Sequence, residues 1–390
     1  MRKKRGRKND LAGMFYCIGG KNVSNTDEII GHAKRHTVKK FELIEKYVEA
    51  WAHKLLQNQY CSGLVFIDCM SNSGEYVDDD GNQVFGTPVR VSKYLRDIAG
   101  QYPRKQIDLY FSDLSAKKIA HLSTLVPQDK SNFHIHITAE DGNDLAKRIG
   151  SQMKSNKHYL LVYDPYDASI DWKAILPFIN NWSEVIINHM VSDSIRAVKI
   201  VKSEDARSKY EQTYLMDLER LIPFGSDKKA YEQRIETIIT ALHCNSSRSL
   251  YIAAFPFFNE KNAIVYNLIH CTSNIKGFKL YKQSAWQTFG GKSSTKNTHG
   301  LEYQLVLNLS DGGVANTQAD EFCYYIKDIA DYLQKAFGGQ QNVPFDKVWA
   351  LLDEHPVFPS DGFKNEIRSE LRQNYNAQMT RDKISFAQSR

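Results

Sequence analysis

Five times between residues 63 and 190 a short β-rich apolar run gives way to a turn and then to a helical pattern, and this alternation restricts the fold more than any other feature. The runs are "GLVFID" (63–68), "QIDLYFSDLS" (106–115), "NFHIHITAED" (132–141), "YLLVYDPY" (159–166) and "EVIINHM" (184–190). Helical spacing of apolar residues follows from Pro88 to about 99, over 116–126, from Asn143, and over 172–179. Strands that alternate with helices predict a doubly wound, mostly parallel α/β sheet. A longer amphipathic helix precedes them, with Phe41, Ile44, Tyr47, Val48, Trp51 and Leu55 on one face of residues 32–57.

Beyond residue 190 the alternation stops. Residues 203–243 read as two helices with no strand between them, a helical insertion. "SLYIAAFPFF" (249–258) and "AIVYNLIHCT" (263–272) are separated only by "NEKN", too short for a crossover, so they should pair as an antiparallel hairpin. The C-terminal segment carries three short helical stretches, 320–337, 343–356 and 360–375, with Asp361 placed to cap the last. Such a set suits a small winged-helix-like domain, although "NAQMTRDKISFAQSR" offers at most one strand to follow it. The expected division is a basic arm (1–30), an α/β domain (31–290), a connecting segment (291–314) and a small helical domain (315–390).

Composition sets outer limits. With 390 residues, 42% of them hydrophobic, a sizeable core is within reach. No run of 18 apolar residues exists and no apolar stretch follows "MRKKRGRKND", so a cytosolic protein is expected. The six cysteines, Cys17, Cys61, Cys69, Cys244, Cys271 and Cys323, form no C-x-x-C pair and read as buried thiols. The net charge of +6 resides in Arg2, Lys3, Lys4, Arg5, Arg7 and Lys8; the rest of the chain is balanced. Such an arm adds phosphate contacts if the partner is nucleic acid, and is otherwise a solvated tail.

The chemistry is carried by acids. In an open parallel sheet, ligands bind outside the carboxyl ends of the strands. Here four strands end in Asp68, Asp113, Asp141 and Asp164. Carboxylates at such positions accept hydrogen bonds from ribose hydroxyls and an adenine amine; each alone is as readily a turn former or a helix cap. The loop after Asp68, "CMSNSGEY", has only Gly74 where cofactor loops carry several glycines, with Ser71 and Ser73 as small substitutes. At the fourth strand Pro165 lacks an N–H, so Asp164 leaves the ladder and faces a cleft with Tyr166 beside it. An acceptor beside an aromatic wall suits methyl transfer to an amine nitrogen of a stacked base; the alternative is a space-filling turn.

A parallel sheet closed by an antiparallel hairpin is the shape of the class I S-adenosylmethionine-dependent methyltransferases. The series "KKFELIEKYVEAW", "VFIDCMSNSGEY", "FGTPVRV", "LLVYDPYD", "EVIINHMVSDSIRAV" and "AIVYNLIHCTSNIKGFKLYKQSAW" resembles the three-Cys-motif partner protein family, TcmP, over roughly residues 36–290. That family reads D-A-F-A-G-P-G at the first loop and D-P-F-G at the fourth strand. Asp68, Gly74, Asp164 and Pro165 match and Tyr166 is a close replacement, whereas Asn72, Ser73 and Asp167 depart from Gly, Pro and Gly. The family also looks like a distant relative of adenine-N6 methyltransferases of large-subunit ribosomal RNA. The resemblance implies S-adenosylmethionine at Asp68, Ser71, Gly74, Asp113 and Asp141, and a target base at Asp164, Pro165 and Tyr166. It further implies a cysteine-motif partner protein, often in mobile or phage-defence gene clusters. A sheet that has lost its cofactor and serves as a nucleic-acid-binding scaffold is the main rival, and a metal-dependent nuclease the third.

Other motifs fall away. "FGGKSST" (289–295) has Trp286 where a phosphate-binding loop needs glycine and reads as a flexible loop; "DDDGN" (78–82) is a turn; His134 and His136 lack a third ligand. In the C-terminal domain, Lys364, Arg368 and Arg372 share a helical face that could meet phosphates, or simply be solvated.

Overall fold

The computed structural model describes residues 29–165, 167–191, 204–217, 220, 228–297 and 322–388. In chain order its first elements are β1 (Gly31–His32), α1 (Arg35–Leu56), β2 (Gly63–Asp68), β3 (Glu75–Val77), β4 (Gln83–Phe85), α2 (Thr87–Ala99), β5 (Gln106–Ser112), α3 (Ala116–Leu125), β6 (Phe133–Thr138), α4 (Gly142–Gly150), β7 (Lys157–Tyr163), α5 (Trp172–Ile179) and β8 (Ser183–His189). There follow α6 (Glu204–Tyr214), α7 (Lys228–Cys244), β9 (Tyr251–Phe258), β10 (Ile264–Thr272), α8 (Ile275–Thr288), α9 (Ile326–Phe337), β11 (Val343–Pro344), α10 (Phe345–Glu354), α11 (Lys364–Asn374), β12 (Gln378–Met379) and β13 (Lys383–Ser385).

Seven strands form the central sheet in the order β6-β5-β2-β7-β8-β10-β9. Neighbours from β6 to β8 are parallel; β10 runs antiparallel to both β8 and β9. This is the mostly parallel sheet with a terminal hairpin that the sequence predicts. The second strand of the hairpin is inserted next to β8, leaving β9 at the edge. Every residue of β2 is buried, as a strand covered on both faces requires. Leu64 and Phe66 enter the core beneath α1, α2 and α8, while Val65 and Ile67 enter the one beneath α4, α5, α6 and α7.

Helix starts follow local chemistry. Ser115, Asp141, Asp171 and Asn274 each accept a hydrogen bond from the first turn of α3, α4, α5 and α8, and a proline opens α2. Asp361 does not cap α11: its carboxylate pairs with Lys279 at 3.2 Å and Lys364 at 3.0 Å. Nor is the C-terminal region limited to one strand, because β12 and β13 pair antiparallel and β11 joins them in the order β11-β13-β12. These strands are two or three residues long, too short for alternation to show. A second small sheet, β1-β3-β4, lies in the segment expected to be turns, with Asp78 and Gly81 forming its tip. Nor is 289–297 a free loop: Gly290 and Gly291 turn it at positive φ, and Ser293 is buried and bonded to Tyr324. Of the cysteines, Cys244 is exposed and Cys61, Cys69, Cys271 and Cys323 are buried; Cys17 lies outside the described residues. No helix among the described residues is long and apolar enough to cross a membrane.

Two polar anchors hold helices to this frame. Buried Lys282 of α8 donates to the carbonyls of Leu352 (2.8 Å), Asp353 (3.0 Å) and His355 (2.7 Å), closing the exposed end of α10. Under α1, the Glu184 carboxylate receives the Tyr47 hydroxyl and lies 2.9 Å from His270 Nε2, with His158 Nε2 at 3.8 Å. Burial alone would raise its pKa, but the His270 bond and the neighbouring imidazoles and hydroxyl hold it below the ordinary carboxylate range. Glu184→Ala removes the common partner of three buried side chains and is expected to cost about 3–5 kcal/mol. Urea unfolding checks this; an unchanged midpoint would show that the network contributes nothing.

Candidate functional site

Strand order reverses between β2 and β7, so the crevice outside their carboxyl ends is where an open sheet of this kind takes a ligand. Asp68 closes β2, Asp164 follows β7, and Asp113 follows β5. The structure brings these three together. Asp68 is 4% exposed, and burial, with repulsion from Asp164 and a smaller contribution from Asp113, pushes its pKa up to about 7. Its Oδ1 accepts from the Met70 amide at 3.2 Å.

Asp164 is held from two sides. Lys40 of α1 forms an ion pair with Oδ2, and the Asn188 amide of β8 donates to Oδ1. Pro165 behind it is buried; Tyr166 lies outside the described residues. Two tyrosines flank the carboxylate. Tyr266 of β10 donates to the His36 carbonyl at 2.9 Å, and burial with the Asp164 charge raises its pKa. The Tyr76 hydroxyl, carried by β3, is pushed up by burial and then by the charges of Asp164, Asp68 and Asp113. The Lys40 ammonium lies 5.4 Å from the Tyr266 ring centroid. His36, half-buried beside it, is pushed down to about 4 by desolvation and by Lys40.

The loop from Cys69 to Gly74 shows how a glycine-poor sequence makes a tight turn. Asn72 has φ 56° and Gly74 φ 73°, both left-handed. Asparagine tolerates that region, and its Oδ1 accepts the Ser73 amide at 2.8 Å. At Gly74 a Cβ would lie 2.5 Å from Leu122 and 2.8 Å from Val89, so the close packing itself demands glycine. Ser71 hydroxyl donates to the Asp68 carbonyl at 2.7 Å and its amide to Ser112 at 2.8 Å, fixing the loop to β5. The residues at the crevice fit an adenosine-bearing group in kind, since Asp68 and Asp113 are carboxylates of the sort that accept from ribose hydroxyls.

The remaining candidates are placed differently. Asp141 is the cap of α4, its Oδ1 receiving the Asn143 amide at 2.8 Å, and Gly142 after it packs so closely on the Cys69 carbonyl that a Cβ there would lie 2.3 Å away. Arg2, Lys3, Lys4 and Arg5 lie outside the described residues. Lys364, Arg368 and Arg372 do share a face of α11, beside the buried Ile367 and Leu371: the half-buried Arg368 guanidinium stacks 4.1 Å from the Phe345 ring, Lys364 lies 5.7 Å from Trp349 and 3.0 Å from Asp361, and Arg372 is exposed, 3.9 Å from Met379 Sδ. His136 stacks on Tyr110 at 4.4 Å and His134 meets Asp129 at 3.3 Å; among the described residues no group of three His, Cys, Asp or Glu side chains could hold a metal ion.

Sequence reasoning missed Lys40, Asn188, Tyr76 and Tyr266. Lys40 had a visible sign, since it falls on the apolar stripe of α1 four residues before Ile44. Asn188 had one too: with Glu184 it places polar groups on the face that also carries Ile186, in a strand buried throughout.

No family model matches the chain, and no curated protein matches it. Among solved structures it is similar to protein LPL1258 from Legionella pneumophila, of family DUF519, at 13% identity and a TM-score of 0.37, over 75% of this chain and 96% of that one. It is also similar to human methyltransferase-like protein 13, solved in complex with SAH, at 10% identity and a TM-score of 0.29, over 73% of this chain and 97% of that one.

Asp68 gives the crevice a pH signature. The folded protein holds this proton up to about 7, the unfolded chain only to its ordinary value of 3.8. Between these the folded state binds more protons, so the Asp68 contribution to stability is full below about pH 4 and is lost as pH rises through 7. Asp68→Asn removes that loss, and its unfolding midpoint relative to wild type should be higher at pH 8 than at pH 5. Equal differences at the two pH values would refute the raised pKa.

Proposed function

We propose that this chain is an S-adenosylmethionine-dependent methyltransferase related to TcmP, acting on an exocyclic amino group of a nucleic-acid base. The observation that carries the reading is Asp164: a carboxylate at the switch point of the sheet, already engaged by two N–H donors and adjoining the buried Asp68. S-adenosylmethionine, when bound, supplies a methyl group activated by its sulfonium. Asp68, Ser71, Gly74 and Asp113 would hold it, with Asp141 contributing through the start of α4. Asp164 and Pro165 would then orient the amine, with Tyr166 as the stacking partner and Tyr266 as a further wall. Because the methyl donor is already activated, the protein's work is positioning and exclusion of water.

On this reading the C-terminal elements α9, β11, α10, α11, β12 and β13 make a winged-helix-like module, and the basic arm from Arg2 to Arg5 adds salt-sensitive phosphate contacts. With Lys364 and Arg368 set beside aromatic rings, Arg372 is the residue of α11 best placed to join them. A cysteine-motif partner protein in a phage-defence setting and a cytoplasmic location belong to the same proposal.

One observation favours a second reading, a methyltransferase-fold scaffold without cofactor: Gly74 is the one glycine of the loop after Asp68, and the charges of Asp68, Asp113 and Asp164 all act on the Tyr76 hydroxyl. Calorimetric titration with S-adenosylhomocysteine separates the two. An enzyme gives saturable heat, stronger or unchanged in Tyr76→Ala; a scaffold gives none in either protein. Asp164→Ala should keep that heat and lower methyl transfer to oligonucleotides by roughly a hundredfold or more. Undiminished transfer of labelled methyl in the variant would remove Asp164 from the mechanism.

A further inference from the structure

Asn188 is 3% exposed and makes a one-sided contact. Its Nδ2 donates to Asp164 Oδ1 and approaches Met190 Sδ at 3.9 Å, which fixes the orientation of the amide because the oxygen turned toward Asp164 would set two acceptors against each other. The other end, Oδ1, is buried and accepts no hydrogen bond from any described residue. A buried carbonyl oxygen left in this way is uncommon in folded proteins and marks a place where a donor is missing. The amide spans little more than the width of its own plane, so this acceptor lies next to the Asp164 carboxylate, whose two oxygens have lone pairs to spare beyond those used by Lys40 and Asn188.

We infer that Asn188 Oδ1 and Asp164 together form a two-acceptor cradle for a primary amine, and that this cradle limits the product to a single methyl group. The inference rests on the methyl-transfer reading above and adds a substrate specificity to it. A planar –NH2 group offers two in-plane N–H bonds; with one given to Asp164 and the other to Asn188, the nitrogen lone pair stands perpendicular to the plane, free for the methyl carbon. In the transfer a nitrogen–carbon bond forms as the carbon–sulfur bond breaks, sulfur keeps the electron pair, and one N–H proton passes to Asp164. The product, a secondary amine, has one N–H left. Its return would leave one buried acceptor unpaired, and sites built to satisfy a donor reject analogues lacking it.

The test compares DNA and RNA oligonucleotides containing adenine or cytosine with the same oligonucleotides carrying N6-methyladenine or N4-methylcytosine. Wild type should transfer one methyl to the unmodified set and prefer it strongly. In Asn188→Ala, and in Asn188→Leu, which keeps the branched outline of the side chain should alanine loosen the core, the preference should fall by roughly tenfold or more and dimethylated base should appear in the product digest. If Asn188 only holds Asp164 in place, both substrates slow equally and the ratio stays as in wild type, which overturns the inference while leaving the proposed function intact. Wild type that gives no heat with S-adenosylhomocysteine and no methyl transfer overturns both.

Discussion

The packing of α1 across the sheet is the constraint on which the rest depends. This helix is pinned at two heights on one face. Tyr47 reaches Glu184 near the start of β8, and Lys40, two turns earlier, reaches Asp164 beyond the end of β7. Apolar contact through Leu43, Ile44, Val48 and Trp51 supplies most of the attraction but little discrimination between neighbouring registers. The polar contacts supply that discrimination, because a helix slid by one turn would bury an unpartnered ammonium and leave an unpartnered carboxylate below it. The same contact that fixes the core therefore delivers a cation to the crevice. Structure and site are not separable here.

Much of the fold was legible. Alternating strand and helix signals gave the parallel sheet, and the four-residue interval "NEKN" gave the hairpin between β9 and β10. The acids at the ends of β2, β5 and β7 were found because strand ends are marked by turn chemistry, and the topology gathers them. Asp141, with the same sequence sign, caps α4, and a carboxylate before a helix satisfies amides whether or not a ligand is near. The expected glycine at position 72 was replaced without loss of the turn, because Asn72 takes the left-handed conformation and bonds its neighbour. Sequence spacing does not report backbone conformation directly, and a glycine count undervalues asparagine.

What the sequence hid was contact across long separations. Lys40 and Asp164 are 124 residues apart, and neither one's periodicity points to the other. Tyr76 sits in a three-residue strand that no alternation could reveal, yet its hydroxyl feels the charges of Asp164, Asp68 and Asp113. In the C-terminal module, helical spacing says that Lys364 and Arg368 share a face, but not that the rings of Phe345 and Trp349 lie against it.

The electrostatics of the crevice follow from unequal provision for its carboxylates. Asp164 has a lysine and an amide at hydrogen-bonding distance, while Asp68 has one backbone amide, deep burial and a like charge nearby. One acid is thereby supplied with its counterion and the other is left near neutrality's edge. A guest carrying positive charge would complete the set, favouring ionised Asp68 and expelling its proton, whereas a neutral guest would have to accept either a protonated acid or an uncompensated one. On the proposed reading the crevice would therefore favour a cationic guest over a neutral one, and it lies at the end of β2, the strand around which the sheet reverses its order.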